Sequence, residues 1–172
     1  MTESDTKSAG AFNDRRIKSN VVRGFYAAWD ALRAGRPAPA RSDFLPETFL
    51  AWWPNMFLVD VAIEAGRPVF TYRLVGTGLE NRLGRGLGGR SLESPTETDM
   101  EVADPWPGGR ERAYQTCFET MSPVHHYLRL KNDREAPGEF ERLLLPLSND
   151  GRTVVQILGV AIYRNLLTNR AY

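Results

Sequence analysis

The sequence predicts an α+β domain with an antiparallel sheet of about five strands, short helices on one face and an amphipathic helix in front. Three observations lead there. Strand-length apolar runs come as a pair and then as a trio, with helical patterns between them, which is the order of an α+β chain rather than of an alternating parallel one. The first two runs are joined by the turn Glu64-Ala65-Gly66-Arg67-Pro68, short enough only for antiparallel neighbours. The last run is apolar on both of its faces, so the sheet needs a cover on each side.

The elements follow in order. Residues 1–19 read as a flexible, polar tail. From Asn20 the residues Val21, Val22, Phe25, Ala28, Trp29 and Leu32 recur at helical spacing, and Gly35 and Pro37 end the pattern. Residues 36–43 form a Pro/Ala/Arg linker, and a short helix is expected over 46–52 with Pro46 in its first turn. Strands are expected over 56–63, 69–75, 124–131, 140–147 and 153–163, the fifth being the longest. A helix over 107–121 carries Ala113, Tyr114, Cys117, Phe118 and Met121 on one face, and Pro123 stops it. Ser148-Asn149-Asp150-Gly151 is a hairpin signal. One domain over 20–165 follows, with 166–172 as a frayed tail.

Bulk properties narrow the classes. At 172 residues the chain can bury a full core. Lys plus Arg number 22 against 21 Asp plus Glu, so no general pull toward nucleic acid or anionic membrane exists. One cysteine, Cys117, allows no internal disulfide and no Cys-based zinc site. The first ten residues lack a secretory pattern, and no window approaches the apolar length of a membrane span. A cytoplasmic protein without membrane insertion is the expectation.

The stretch from Tyr72 to Arg90 holds most of the candidate function. It starts as a strand, breaks at Gly76-Thr77-Gly78, places Leu79, Leu83 and Leu87 four apart, and ends among glycines. Gly84-Arg85-Gly86-Leu87-Gly88-Gly89 matches G-x-G-x-x-G in form. A dinucleotide loop needs a strand before it and a long helix after it, and this sequence offers neither. The three leucines are expected to face inward, as a bent cover over a cavity.

Other polar residues interrupt apolar segments. His126 alternates with Val124, Leu128 and Leu130, which puts it in the core or at a cavity wall, and His125 on the opposite face; the two cannot chelate one metal. A haem-ligand role for His126 and a hydrogen-bonded core role are both open. Asp60 shares a face with Met56 and Leu58, and Arg73 or Arg142 could pair it. A lone Asp in an apolar pocket is also how cone-fold isomerases work, although their element order differs. Arg142 suits either a ligand carboxylate or a cross-sheet ion pair. On the fifth strand Gly159 and Ala161 are small, which would give the N-terminal helix room to approach. No nucleophilic triad or metal cluster stands out, and no catalytic residue is expected.

Three segments carry a family resemblance: Phe70-x-Tyr72-Arg73-Leu74-Val75-Gly76-Thr77-Gly78-Leu79, Gly84-Arg85-x-Leu87-x-Gly89-Arg90, and Arg142-Leu143-Leu144-Leu145-Pro146-Leu147-Ser148. With Trp29-x-x-Leu32 and Leu58-x-Asp60-Val61 they resemble a bacterial family of small stand-alone PAS-like proteins, over roughly residues 20–165. The resemblance implies a non-catalytic sensory or interaction module, often tied to histidine-kinase signalling. It also implies homodimerisation through the first helix, and a small, mainly apolar ligand whose identity the residues do not give. The candidate pocket wall is Tyr72, Leu79, Leu83, Tyr114, Phe118 and His126. Cys117 lacks the Gly-x-Asn-Cys-Arg-Phe context of a light-oxygen-voltage photosensor and reads as a buried small hydrophobe. A pure dimerisation or interaction module with a filled core is the alternative.

Overall fold

The computed structural model describes residues 11–83, 86–92, 109–133, 136–167 and 170–171. The Leu83 side chain and the expected helix start at Pro107 lie outside the described residues.

The first helix, α1, is Asn20–Arg33. The Ser19 hydroxyl caps it by accepting from the Val21 amide at 3.1 Å. It ends as Ala34 and Gly35 turn left-handed, with φ of 48° and 81°. A 3-10 segment, Pro46–Asn55, follows and leads into β1, Met56–Glu64, and β2, Arg67–Val75. Next come α2, Thr77–Leu83, and α3, Gly109–Thr120. The chain closes with β3, Val124–Asp133, β4, Ala136–Leu147, β5, Gln156–Asn165, and the two-residue β6, Arg170–Ala171.

The strands form one antiparallel sheet in the order β2-β1-β5-β4-β3, with β6 paired to the end of β5. β5 therefore sits at the centre, between β1 and β4. That position explains its two apolar faces. The sheet divides the molecule into two packed layers. The outer layer joins α1 and the Pro46–Asn55 segment to Met56, Leu58, Leu143, Leu145, Leu147, Leu158, Val160 and Ile162. The inner layer joins α2 and α3 to Phe57, Val59, Phe70, Tyr72, Phe140, Leu144, Ile157, Ala161 and Tyr163.

Five expectations change. The tail over 166–172 is not simply frayed, because Arg170 and Ala171 pair with Asn165 and Arg164 of β5. The strand over 153–163 starts later, at Gln156, and β4 with 12 residues is longer than β5 with 10. The Asp150-Gly151 turn sits in a wider loop, because the Asp150 carboxylate accepts from the amides of Arg152 and Thr153 and from the Ser148 hydroxyl. Gly159 gives no room to α1. It lies on the inner face, where a Cβ would stand 2.1 Å from the Phe57 ring, so Phe57 fills that space. The structured segment also begins before Asn20. Ile17 and Ser19 are buried, and Glu141 on β4 holds the amides of Lys18 and Ser19 at 2.6 and 2.7 Å.

The Gly76-Thr77-Gly78 turn has a packing cause. A Cβ on Gly76 would fall 2.0 Å from the Trp53 carbonyl oxygen, so only glycine lets α2 lie against the end of the Pro46–Asn55 segment. Among the described residues no helix is long and apolar enough to cross a membrane.

Candidate functional site: the inner layer

The inner layer is built from alternate residues of the sheet. β3 and β4 pair His126 with Arg142 and Val124 with Leu144, which sends these four side chains toward α3. From α3 come Ala113, Tyr114 and Cys117, all buried, with Phe118 at the margin. Leu79 of α2 and Leu87 close the layer near β2. Of the expected wall residues, Tyr72, Leu79, Tyr114 and Phe118 lie in one cluster, and His126 lies on the same side of the sheet. Leu87 is buried, although it lies beyond the end of α2 and so not on its helical face.

The layer is more polar than a plain core. The Arg142 guanidinium donates to His126 Nδ1 at 3.0 Å, and both residues are buried. An accepting Nδ1 places the ring proton on Nε2. Burial, then the Arg142 charge, then His125, push the imidazole down to about 2, so it is neutral over the physiological range. Arg142 also stands 5.7 Å from the ring centres of Tyr114 and Phe140. Phe140 packs on Tyr163 at 4.7 Å, and the Arg82 guanidinium lies 3.8 Å over that Tyr163 ring. Arginines and aromatic rings thus alternate across the layer. Burial, with Tyr72 close by, pushes the Tyr114 phenol well above the ordinary value. Burial likewise pushes the Cys117 thiol up, which leaves it an un-ionised hydrophobe.

Arg82, Phe140 and Tyr163 were not among the expected wall residues. Arg82 had a signal. It sits three residues after Leu79, on the same helix face, where a charged side chain can lay its stem inward. Arg142 makes the inner-layer contact with His126 rather than an ion pair with Asp60.

His125 faces the outer side. Its Nε2 is 2.7 Å from Glu141, whose carboxylate also receives the Lys18 and Ser19 amides. Burial opposes ionisation of Glu141, but these hydrogen bonds outweigh it and hold the carboxyl below its usual range. Glu141 thereby fastens the start of α1 to the sheet.

Asp60 is at the rim. It pairs with Arg73 at 3.1 Å and accepts from Gln156 at 2.5 Å, with its side chain 38% exposed. A solvent-facing Asp removes the one feature that suggested an isomerase. Among the described residues no three His, Cys, Asp or Glu side chains are placed to hold a metal.

A family model described as PAS domain matches residues 17–162. No curated protein matches the chain. Among solved structures, one described as an RNA-binding light-oxygen-voltage receptor is similar, at 18% identity and a TM-score of 0.42. The match covers 72% of this chain and 35% of that one. The sheet order, the helical cover on one face and the family match over most of the chain agree, and the chain belongs to the PAS domain family.

Proposed function

We propose that this chain is a non-catalytic signal-input domain that takes a small, mainly apolar ligand in its inner layer and hands the signal to a separate protein such as a histidine kinase. The PAS family supports a sensory or signalling module as the general class. The observation that supports the ligand reading is the contrast between the two faces of one sheet. The outer face is closed by aliphatic and aromatic side chains, and its buried Glu141 is taken up by His125 and the amides of Lys18 and Ser19. The inner face buries a neutral imidazole, two guanidiniums and the neighbouring Tyr72 and Tyr114 among aromatic rings. Such a mixture of apolar wall and a few fixed polar groups is how small-molecule sites orient their ligands. Tyr72, Leu79, Leu83, Tyr114, Phe118 and His126 are the proposed wall, and a cytoplasmic location suits a module of this kind.

Native mass spectrometry of the purified protein, followed by a thermal-shift screen of small amphipathic compounds, tests the reading. A co-purified species or a stabilising hit that the Tyr114→Ala variant loses is the expected result. A protein that carries and binds nothing would favour the second reading, a pure interaction or dimerisation module. The exposed Leu45, Leu50 and Ile63 favour that second reading. The apolar stripe of α1 does not, because Val22, Phe25 and Trp29 are already buried against the chain's own sheet.

A further inference from the structure

An open groove of about 610 Å³ lies away from the inner layer, between α1, the end of α3 and the loop from β4 to β5. Its floor is aromatic and fixed. Trp29 is anchored because its indole N–H donates to the Pro146 carbonyl at 2.9 Å. Tyr26 lies 6.0 Å from Trp29, and Phe12 lies 5.0 Å from Tyr26. The facing wall is Met121 and Pro123, just past the last turn of α3. Met121 packs against both the inner and the outer layer, so this wall touches the proposed sensing site from behind.

The charges at the groove have one sign. Arg33 and Arg152 line it, and among the described residues no Asp or Glu does. Three acids stand nearby, Asp14, Asp30 and Asp150; Asp14 bears on Tyr26 without lining the groove, and the other two are engaged. Asp30 pairs with Arg33 at 2.6 Å, and Asp150 is held by its own loop. Arg152 is exposed and has no ion-pair partner among the described residues. A rigid aromatic floor, an apolar wall and a cation at the rim match a peptide with apolar anchors and acidic neighbours.

We propose that this groove docks an acidic segment of a separate protein that carries large apolar side chains. It serves the reading above as the output surface. The groove is open and shallow, which suits a peptide better than an enclosed small molecule. The chain's own first ten residues supply Glu3 and Asp5 but only Met1 as a large apolar group, too little to cover the half-buried rings of Phe12 and Tyr26. Nucleic acid is disfavoured because two arginines make no extended basic stripe.

The test uses the full chain and two fluorescein-labelled twelve-residue peptides. In one, Leu and Phe at helical spacing alternate with Glu and Asp; in the other every acid is Lys. The acidic peptide should bind and the basic one should not. Arg152→Glu, an exposed change that leaves the fold intact, should weaken the acidic peptide about tenfold and admit the basic one. Phe12→Ser should weaken it by a similar factor. Equal binding of both peptides, no binding of either, or an unchanged affinity in Arg152→Glu would overturn the proposal. So would a tenfold gain in affinity in the Glu3→Lys/Asp5→Lys double variant, which would assign the groove to the chain's own terminus. A dimer in sedimentation that Arg152→Glu dissolves would assign it to a second copy and also overturn it. None of these failures bears on the inner layer, whose ligand is tested separately.

Discussion

The two layers on either side of the sheet are made from the same strands and do different work. The outer layer is a clamp. α1 lays Val22, Phe25 and Trp29 on the sheet, Trp29 bonds the Pro146 carbonyl, and Glu141 grips the chain where α1 begins. The inner layer keeps buried charge and hydrogen-bonding groups that a plain core would exclude. Buried polar groups cost stability unless they are satisfied, and satisfied ones fix geometry. On the proposed reading, stability and selectivity are divided between the faces, with β5 supplying residues to both.

The largest expected effect would break the clamp. Trp29→Ala removes a fully buried indole and leaves the Pro146 carbonyl without its donor. A loss of about 3–5 kcal/mol is expected, read from urea unfolding. A loss under 1 kcal/mol would mean that α1 adds little to the fold.

The second prediction sharpens the inner layer through pH. His126 is lowered from 6.5 to about 2 in the folded state. Below pH 6.5 the unfolded chain therefore binds a proton that the folded chain does not, and stability falls as pH falls. The slope from this residue is about 1.4 kcal/mol per pH unit. The window from pH 6.5 down to 4.5 isolates it, since the Glu141 contribution is lost only below the ordinary carboxyl value of 4.5. His126→Gln should flatten the profile in that window. An unchanged slope would show that His126 is not held neutral.

The third concerns the strand that the layers share. Gly159→Ala puts a methyl group into the Phe57 ring on the inner side. Overpacking of about 1–3 kcal/mol is expected, and Phe57→Leu in the same chain should restore most of it. If the double variant is no better than the single one, the clash lies elsewhere. The smallest effect is at the rim. Asp60→Asn weakens an exposed pair with Arg73 and should change stability by about 0–1 kcal/mol.

Much of this contrast was legible in the sequence. The two apolar faces of β5 announced a sheet covered on both sides, and the spacing of Val22, Phe25 and Trp29 announced its outer cover. The alternation Val124, His126, Leu128 put His126 on the inner face. Gly159 was read toward the wrong helix because alternation gives two faces without saying which cover lies on which. The side of β5 that α1 occupies depends on long-range pairing with β1 and β4. Arg142 was left between a ligand role and an ion pair for the same reason, since its neighbour His126 arrives from a different strand. Arg82 was missed because a charged residue on a short helix reads as solvated until its guanidinium is seen lying over Tyr163. The turn at Asp150 was read too tightly because nothing local shows that its carboxylate spans the loop.

The central claim is that the inner layer receives the signal while the outer layer holds still. The direct measurement is NMR of protein with labelled tyrosine, tryptophan and histidine rings, before and after addition of the strongest small-molecule hit or after removal of a co-purified one. Shifts concentrated at Tyr72, Tyr114 and His126, with Trp29 unmoved, are the predicted result. Shifts centred on Trp29 and Tyr26, with the inner rings unchanged, would contradict it.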